Sequence, residues 1–525
     1  MRILVADQLA DAGVTALSDH HDVDVRTGRS KDELLADVAD YDAIVVRSAT
    51  TIDADVIAAA TRLKVIGRAG VGLDNVDIDA ATEAGVIVCN APTSNVISAA
   101  EHTVAMIASL ARNIPQAHRA LTAGRWERSR WKGTELHGKT LGILGLGRIG
   151  SLVAERCAAF GMDLVAYDPF VTPVRAEQVG VTLLDTVEEV LAVADVVTIH
   201  LPRNADTVGL IDARRLAMMK PSAFVVNVAR GGIVVEEDLA AALSDEVLAG
   251  AAVDVFDTEP TTDSPLFALD NVVVTPHLGA STAEAQDKAG VQVAESVNLA
   301  LDGQFVPSAV NVAGGPIDTR FQGYLELGEV LGRLFGGLSG GLGREVAIEY
   351  LGGLAEVDTT VVGLSVLKGL LGSGATQPVT FVNAPAIARE RGLHLRETTD
   401  TQSPLYLSLL RVSGTDREGR EVQVAGTVLP SSGRLRFVEV WNTALDVEPA
   451  ERMAFFRYRD RPGVMGTVGT ILGEEGVNIA SAQVGRLDDD RAVIALSLDD
   501  EVTTAAMDRI AEQIGADEHR SVSLQ

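Results

Sequence analysis

The run Leu141-Gly-Ile-Leu-Gly145-Leu-Gly147-Arg148-Ile149-Gly150 spaces three glycines as GxGxxG between an apolar run and a helical one. Each glycine meets a separate demand: a tight turn, close approach of backbone to a pyrophosphate, and helix packed on strand, with the helix N-terminus facing the anion. In a chain with 50 glycines the pattern alone is weak, and its context decides. Asp168 closes the next apolar run about 18 residues beyond Gly150, near the roughly 20 expected of a carboxylate that binds the adenosine ribose hydroxyls. That carboxylate would repel a 2′-phosphate, so the expected cofactor is NAD, not NADP.

Three further residues stand at or just beyond strand ends of the same region, where open α/β sheets hold their ligands. Arg230 follows Phe224–Ala229 and precedes Gly231-Gly232, Glu259 follows Asp254–Thr258, and His277 follows Val272–Pro276. Singly they read as a loop arginine, a turn glutamate and a strand-end histidine; together, downstream of a dinucleotide fingerprint, they read as a constellation. The NVARGG, DVFDTEP and TPHLGAST segments that contain them, with the GILGLGRIG loop, resemble the D-isomer-specific 2-hydroxyacid dehydrogenase family. The VVRSAT and GRAGVGLDNVD segments near the N-terminus extend the match, which covers essentially the whole chain.

The resemblance implies an enzyme that passes a hydride from a secondary alcohol to NAD. His277 is the implied base for the hydroxyl proton, suited because an unperturbed imidazole titrates near pH ~6.5. Glu259 would fix its tautomer and favour its protonated form, and Arg230 would grip the substrate carboxylate and polarise the developing carbonyl through its fork of donors. The implied cofactor contacts are Gly145, Gly147, Arg148, Ile149, Gly150, Asp168, Val228, Ala229, Asp254, Gly279 and Ala280. The chain resembles in particular a long form of the family, which implies oxidation of D-3-phosphoglycerate to 3-phosphohydroxypyruvate, the first step of phosphorylated serine biosynthesis. By that resemblance Arg47 and Arg68 hold the phosphate, with Ser48 beside them, the Gly70-Val71-Gly72 backbone holds the carboxylate, and Arg130 reaches the phosphate across a dimer interface.

These residues need rigid elements to carry them. From Met1 to about His277, short β-branched runs alternate with helical stretches, which predicts two doubly wound parallel sheets separated by a helix over Ser98–Ala111. The second opens with the fingerprint and is Rossmann-type; the first, flavodoxin-like, has Gln8-Leu9-Ala10 at the equivalent turn and is not expected to hold a dinucleotide. A helix over Ser281–Leu301 ends at Asp302-Gly303, and a linker at Gly314-Gly315-Pro316 follows. The predicted division is residues 1–98 and 284–308 for substrate, 99–283 for NAD, 309–450 for an α+β intervening domain, and 451–525 for a ferredoxin-like domain. That last region, with Tyr458-Arg-Asp460-Arg-Pro-Gly463 and Gly476-Val-Asn478, is similar to an ACT domain. The similarity implies L-serine as a feedback inhibitor, with Tyr458, Asp460 and Asn478 as effector contacts; by composition the two polar residues are equally good turn formers.

The 525-residue length fits three or four domains. A net charge of −29 disfavours nucleic acid, and an anionic substrate must be drawn in by a local arginine cluster against the global field. Cys89 and Cys157 are too few for a disulfide framework and lack metal-ligand spacing, so a reducing, cytoplasmic location is expected, with no metal and no membrane; the assembly expected from the resemblance is a homo-oligomer, a tetramer, although the sequence itself does not separate dimer from tetramer. Another D-2-hydroxyacid dehydrogenase would share the Arg-Glu-His set, and an NAD-dependent corepressor-type scaffold would share the fold. Arg47 and the tail stand against the first, the charge and the tail against the second.

Overall fold

The structure is a computed structural model that describes every residue except Pro316, Leu342, Ser373, Gly374, Thr376, Gln377, Pro404, Arg417, Asp488, Asp489 and Gln525. The last residue of the predicted linker, Pro316, therefore lies outside the described residues. Five strands, β1 (Arg2–Val5), β2 (Asp22–Val25), β3 (Ala43–Val46), β4 (Val65–Arg68) and β5 (Ile87–Asn90), form a parallel sheet in the order β2-β1-β3-β4-β5. That is the flavodoxin-like order. The helix Ala283–Leu301 returns to this sheet and closes one face, where Val293 and Val297 press so near Gly67 of β4 that a Cβ there would stand 2.7 Å from either.

The second sheet is also parallel and holds β6 (Thr140–Leu144), β7 (Asp163–Tyr167), β8 (Thr182–Leu183), β9 (Val196–Ile199), β10 (Phe224–Asn227), β11 (Gly250–Val253) and β12 (Val272–Val274). Their order is β12-β11-β10-β9-β6-β7-β8, so the direction of winding reverses between β6 and β9. The crevice at such a switch point is where a doubly wound sheet takes its ligand. Strands β3, β5, β9, β10 and β11 are buried along their whole length, as continuous apolar runs are when helices cover both faces. Within these two parallel sheets the strands that the sequence pattern does not reveal, β2 and β8, are both sheet edges: the first alternates Asp and Val, and the second has two residues.

Beyond residue 319 the architecture becomes α+β. Strands β13 (Glu345–Gly352), β14 (His394–Asp400), β15 (Ser408–Thr415), β16 (Glu421–Val428), β17 (Leu435–Val440) and β18 (Thr443–Val447) form a mixed sheet in the order β14-β13-β15-β16-β17-β18, its single parallel pair being β13 and β14. Helices Gly323–Ser339 and Thr360–Gly372 share a core with it and pack on each other at very short range, since a Cβ on Gly369 would meet the Glu329 carbonyl oxygen at 1.9 Å. The helix Thr360–Gly372 is apolar on nearly every side and so offers no periodicity to read. Strand β15 begins only at Ser408 and leaves Leu405 and Leu407 before it exposed.

The final unit orders β19 (Arg452–Arg459), helix Val464–Glu474, β20 (Ile479–Arg486), β21 (Arg491–Leu498), helix Thr504–Ile514 and β22 (Ala516–Ser523) into an antiparallel sheet β20-β21-β19-β22. This is the ferredoxin-like arrangement that the order of elements predicts. Its helices cover one face, while Phe455, Val493 and Val522 on the other face share a core with Leu338 and Trp441 of the preceding domain.

Candidate active site

The turn after β6 shows why three glycines are needed. Gly145 has φ +96°, and a Cβ there would stand 2.8 Å from the His200 carbonyl oxygen at the end of β9. A Cβ on Gly150 would lie 2.2 Å from the Gly145 oxygen, so the helix Arg148–Ala158 sits against the turn only because that atom is missing. Gly147, at the N-cap of the helix, faces open space with no heavy atom within 4 Å of its Cβ position. This is a cradle into which a pyrophosphate fits, backed by unpaired N–H groups of the first helical turn, Arg148 and Ile149 among them. Asp168 at the end of β7 accepts the Leu146 N–H at 2.8 Å and the Phe170 N–H at 2.9 Å, one bond per oxygen, so each keeps a lone pair for a ribose hydroxyl. The residues present thus fit NAD.

At the far ends of β11 and β12 the carboxylate and the imidazole are joined: Glu259 Oε2 lies 2.5 Å from His277 Nδ1. The other Glu259 oxygen accepts the Phe256 N–H at 2.9 Å. Burial alone would raise the Glu259 pKa, but hydrogen bonds from His277 and from Phe256 hold it below the ordinary glutamate value. His277 adopts φ +55°, a conformation that non-glycine residues avoid, and its N–H donates to the Asp254 carbonyl at 2.8 Å. Asp254, expected among the cofactor contacts, has a fully buried side chain and gives both oxygens to its own chain, accepting the Leu278 N–H at 2.8 Å and the Gly279 N–H at 2.9 Å. Gly279 in turn lies against Val228, and Ala280 faces the cleft.

The cleft between the two parallel-sheet lobes has a volume of ≈ 500 Å³. Arg47, Ser48, Arg68 and Gly70 line one wall, and Glu259, His277 and Ala280 the other. Arg68 leaves β4 and bends over Gly70, where a Cβ would overlap its guanidinium at 1.7 Å. Its pKa is pushed down to about 10, first by loss of solvent and then by the nearby charges of Arg230 and Arg47, and its buried Nε has no hydrogen-bond partner among the described residues. Three cations in one place, one of them poorly solvated, make a site that gains when an anion arrives. Arg230 reaches this cluster from the loop after β10: a Cβ on Gly72 would meet its Nη2 at 2.5 Å, and its Nε lies 3.6 Å from Asp74.

Side chains that hold these loops carry no catalytic signature and the sequence reading passed over them. Asp7, buried after β1, accepts the Arg47 N–H at 2.7 Å and the Thr50 hydroxyl at 2.6 Å. Asn90 donates to the Val71 carbonyl at 2.6 Å, which places the Gly70–Gly72 loop. Both stand at strand ends, and nothing in the local sequence marks either as the holder of a loop.

Other expected contacts lie elsewhere. Arg130 is outside the cleft of its own chain, bonded to Asp270 at 2.7 Å and stacked on Trp131. In the last domain the Tyr458 ring is packed into the core at 2% exposure, Asp460 pairs with Arg486 at 2.9 Å, and Asn478 donates to Asp499 at 2.6 Å. No helix among the described residues is long and apolar enough to cross a membrane.

With this geometry in place, three family models match consecutive parts of the chain. Residues 104–279 match "D-isomer specific 2-hydroxyacid dehydrogenase, NAD binding domain", residues 320–441 "D-3-phosphoglycerate dehydrogenase intervening domain", and residues 452–515 "ACT domain". A Mycobacterium bovis protein named D-3-phosphoglycerate dehydrogenase is 48% identical over 98% of this chain and 97% of its own length. One of the same name from Mycobacterium leprae is 47% identical over 99% of both. Among solved structures, a protein from Thermus thermophilus superposes with TM-score 0.55 at 35% identity, covering 59% of this chain and all of its own.

Proposed function

The chain belongs to the D-3-phosphoglycerate dehydrogenase family, and from that premise we propose how its own residues carry out the NAD-dependent oxidation of D-3-phosphoglycerate to 3-phosphohydroxypyruvate. The observation that carries the reading is the pairing of Glu259 with His277 across a cleft from three converging arginines. Arg47 and Arg68 bind the phosphate, which explains why an acidic protein spends buried space on like charges. Arg230 and the Gly70–Gly72 backbone hold the carboxylate, and Arg230 steadies the oxygen as it becomes a carbonyl.

His277 Nδ1 is engaged by Glu259, so Nε2 is the atom left to take the proton from the C2 hydroxyl. The anion beside it balances the positive charge that the proton brings. The Gly145–Gly150 turn and Asp168 would hold NAD, which when bound would supply the hydride acceptor. Asp254 keeps the turn bearing His277 in place and contributes to cofactor binding through Gly279.

L-serine inhibits through the last domain, with Asp460 and Asn478 as contacts near the strand ends. Strand β20 is an edge of its sheet, exposed over residues 480–484 although Gly485 packs against Ala444, and that exposed stretch suits it to pair with a second copy in a homotetramer. The cysteine usage suits the cytoplasm. The deciding experiment follows NADH absorbance with 3-phosphoglycerate and NAD, with and without L-serine. Substrate-dependent absorbance that serine suppresses is expected. No absorbance change overturns the substrate assignment, and a rate indifferent to serine overturns the regulation.

A further inference from the structure

His102 has no part in the reaction outlined above, yet its ring stands directly behind the catalytic turn. It lies on the helix Val96–Ala111, which leads from the substrate lobe into the cofactor lobe. Its Nε2 is 3.2 Å from Asp254 Oδ1 and 3.1 Å from Thr275 Oγ1. Thr275 Oγ1 and Asp254 Oδ1 are themselves 2.5 Å apart. One turn earlier on the same helix face, Ser98 Oγ meets Thr282 Oγ1 at 2.8 Å, and one turn later Met106 Sδ lies 3.8 Å from the Thr275 hydroxyl. Residues spaced by four on one helix thus hold both ends of the segment Thr275–Thr282. His277 sits inside that segment.

We infer that His102 is a positioning residue for the dehydrogenase: through Asp254 and Thr275 it holds the turn that aims His277 at the substrate hydroxyl. The inference rests on the reading of His277 as the base. Its physical content is the strain and burial at the turn. A residue at φ +55° stays there only where its surroundings over-determine it, and here Asp254 does so through its carbonyl and both carboxylate oxygens. A fully buried carboxylate that loses a donor pulls its other partners into new positions. Displacement of a catalytic group by about 1 Å costs on the order of 100-fold in rate. The Ser98–Thr282 contact adds a consequence, because the same helix face ties the turn to the crossover between lobes.

The test uses the full chain in three variants: His102→Leu, His102→Gln, whose amide N–H reaches as far as imidazole Nε2, and Thr275→Val. For each, kcat and KM are measured with 3-phosphoglycerate and with a non-phosphorylated D-2-hydroxy acid, and NADH affinity by fluorescence. His102→Leu lowers kcat roughly 10–100-fold while KM and NADH affinity stay within about 2-fold, and His102→Gln recovers most of the loss. Wild-type kcat in His102→Leu, a glutamine variant as impaired as the leucine one, or a parallel loss of NADH affinity overturns the inference. If His102→Leu does not fold, Thr275→Val decides: a loss confined to kcat supports the role and an unchanged kcat refutes it. Failure of wild type on the phosphorylated substrate alone refutes the substrate assignment and leaves these ratios to be read on the other acid.

Discussion

At the scale of single residues, the Glu259–His277 pair yields the sharpest expectation about pH. The folded pKa of Glu259 is depressed, its burial outweighed by hydrogen bonds from His277 and Phe256. A carboxyl depressed in this way stabilises the fold fully above its unfolded value of about 4.3, and that stabilisation is lost as pH falls through the lower folded value. The pair therefore survives throughout the pH range in which a histidine titrates. Glu259→Gln keeps the shape and removes the charge, so the protonated imidazole loses its counter-ion. The expected outcome is a drop in kcat of order 100-fold, with the acid limb of the kcat/KM profile moving to lower pH. A full pH–rate profile of the variant checks it, and a superimposable profile reduces Glu259 to a structural role. The histidine and glutamate were legible because they sit in motifs. His102 was not, since nothing in a helix sequence shows which of its polar residues will face a buried carboxylate on a strand end 152 positions away.

At the scale of elements, the two parallel sheets were legible because strands covered on both faces must be apolar along their length, while the edges β2 and β8 and the all-apolar helix Thr360–Gly372 obey no such rule. The polar strand β14 went unread for a related reason: it is an exposed edge held by β13 alone. The glycine loop was legible as a motif, but the structure adds which glycine is limited by contact and which by freedom. Gly150→Ala places a methyl 2.2 Å from the Gly145 oxygen, and backbone on both sides leaves it little room to yield. The turn must lift away from its helix, at a cost of about 1–3 kcal/mol. Thermal unfolding should show that loss, and NADH titration should show affinity weakened by an order of magnitude or more. Gly147→Ala meets nothing in the chain itself, so it should leave unfolding nearly unchanged and weaken NADH binding alone. Equal effects of the two substitutions on unfolding would contradict this division of labour.

At the scale of the whole molecule, the proposed serine regulation requires a connection from the last domain to the substrate lobe, and a polar chain supplies one. The Leu524 carbonyl, in the last domain, accepts a hydrogen bond from Arg333 at 2.7 Å; Arg333 pairs with Glu329 at 2.5 Å, and Glu329 with Lys368 at 2.7 Å. Lys368 then donates at 2.8 Å to the Gly303 carbonyl, just past the helix Ala283–Leu301 whose N-cap, Thr282, meets Ser98 at the other end. It also lies 5.0 Å from the centre of the Phe381 ring. The two helices that carry Arg333, Glu329 and Lys368 approach so closely at Gly332 and Gly369 that they must move as one body. Lys368 is mostly buried and is the one side chain in the series that touches both the intervening domain and the turn that follows the return helix of the substrate lobe. Lys368→Met keeps the aliphatic length and removes both bonds, far from the arginine cluster and from His277. Basal kcat is therefore expected within about 2-fold of wild type, serine binding by calorimetry unchanged, and the serine concentration for half-inhibition raised 5-fold or more, the range in which coupling energies of about 1–3 kcal/mol fall. Unaltered inhibition in this variant would mean that the signal travels through the shared apolar core of Leu338, Trp441, Phe455 and Val522 instead, and Gly337→Val, which presses on Val522, would then be the substitution that changes it.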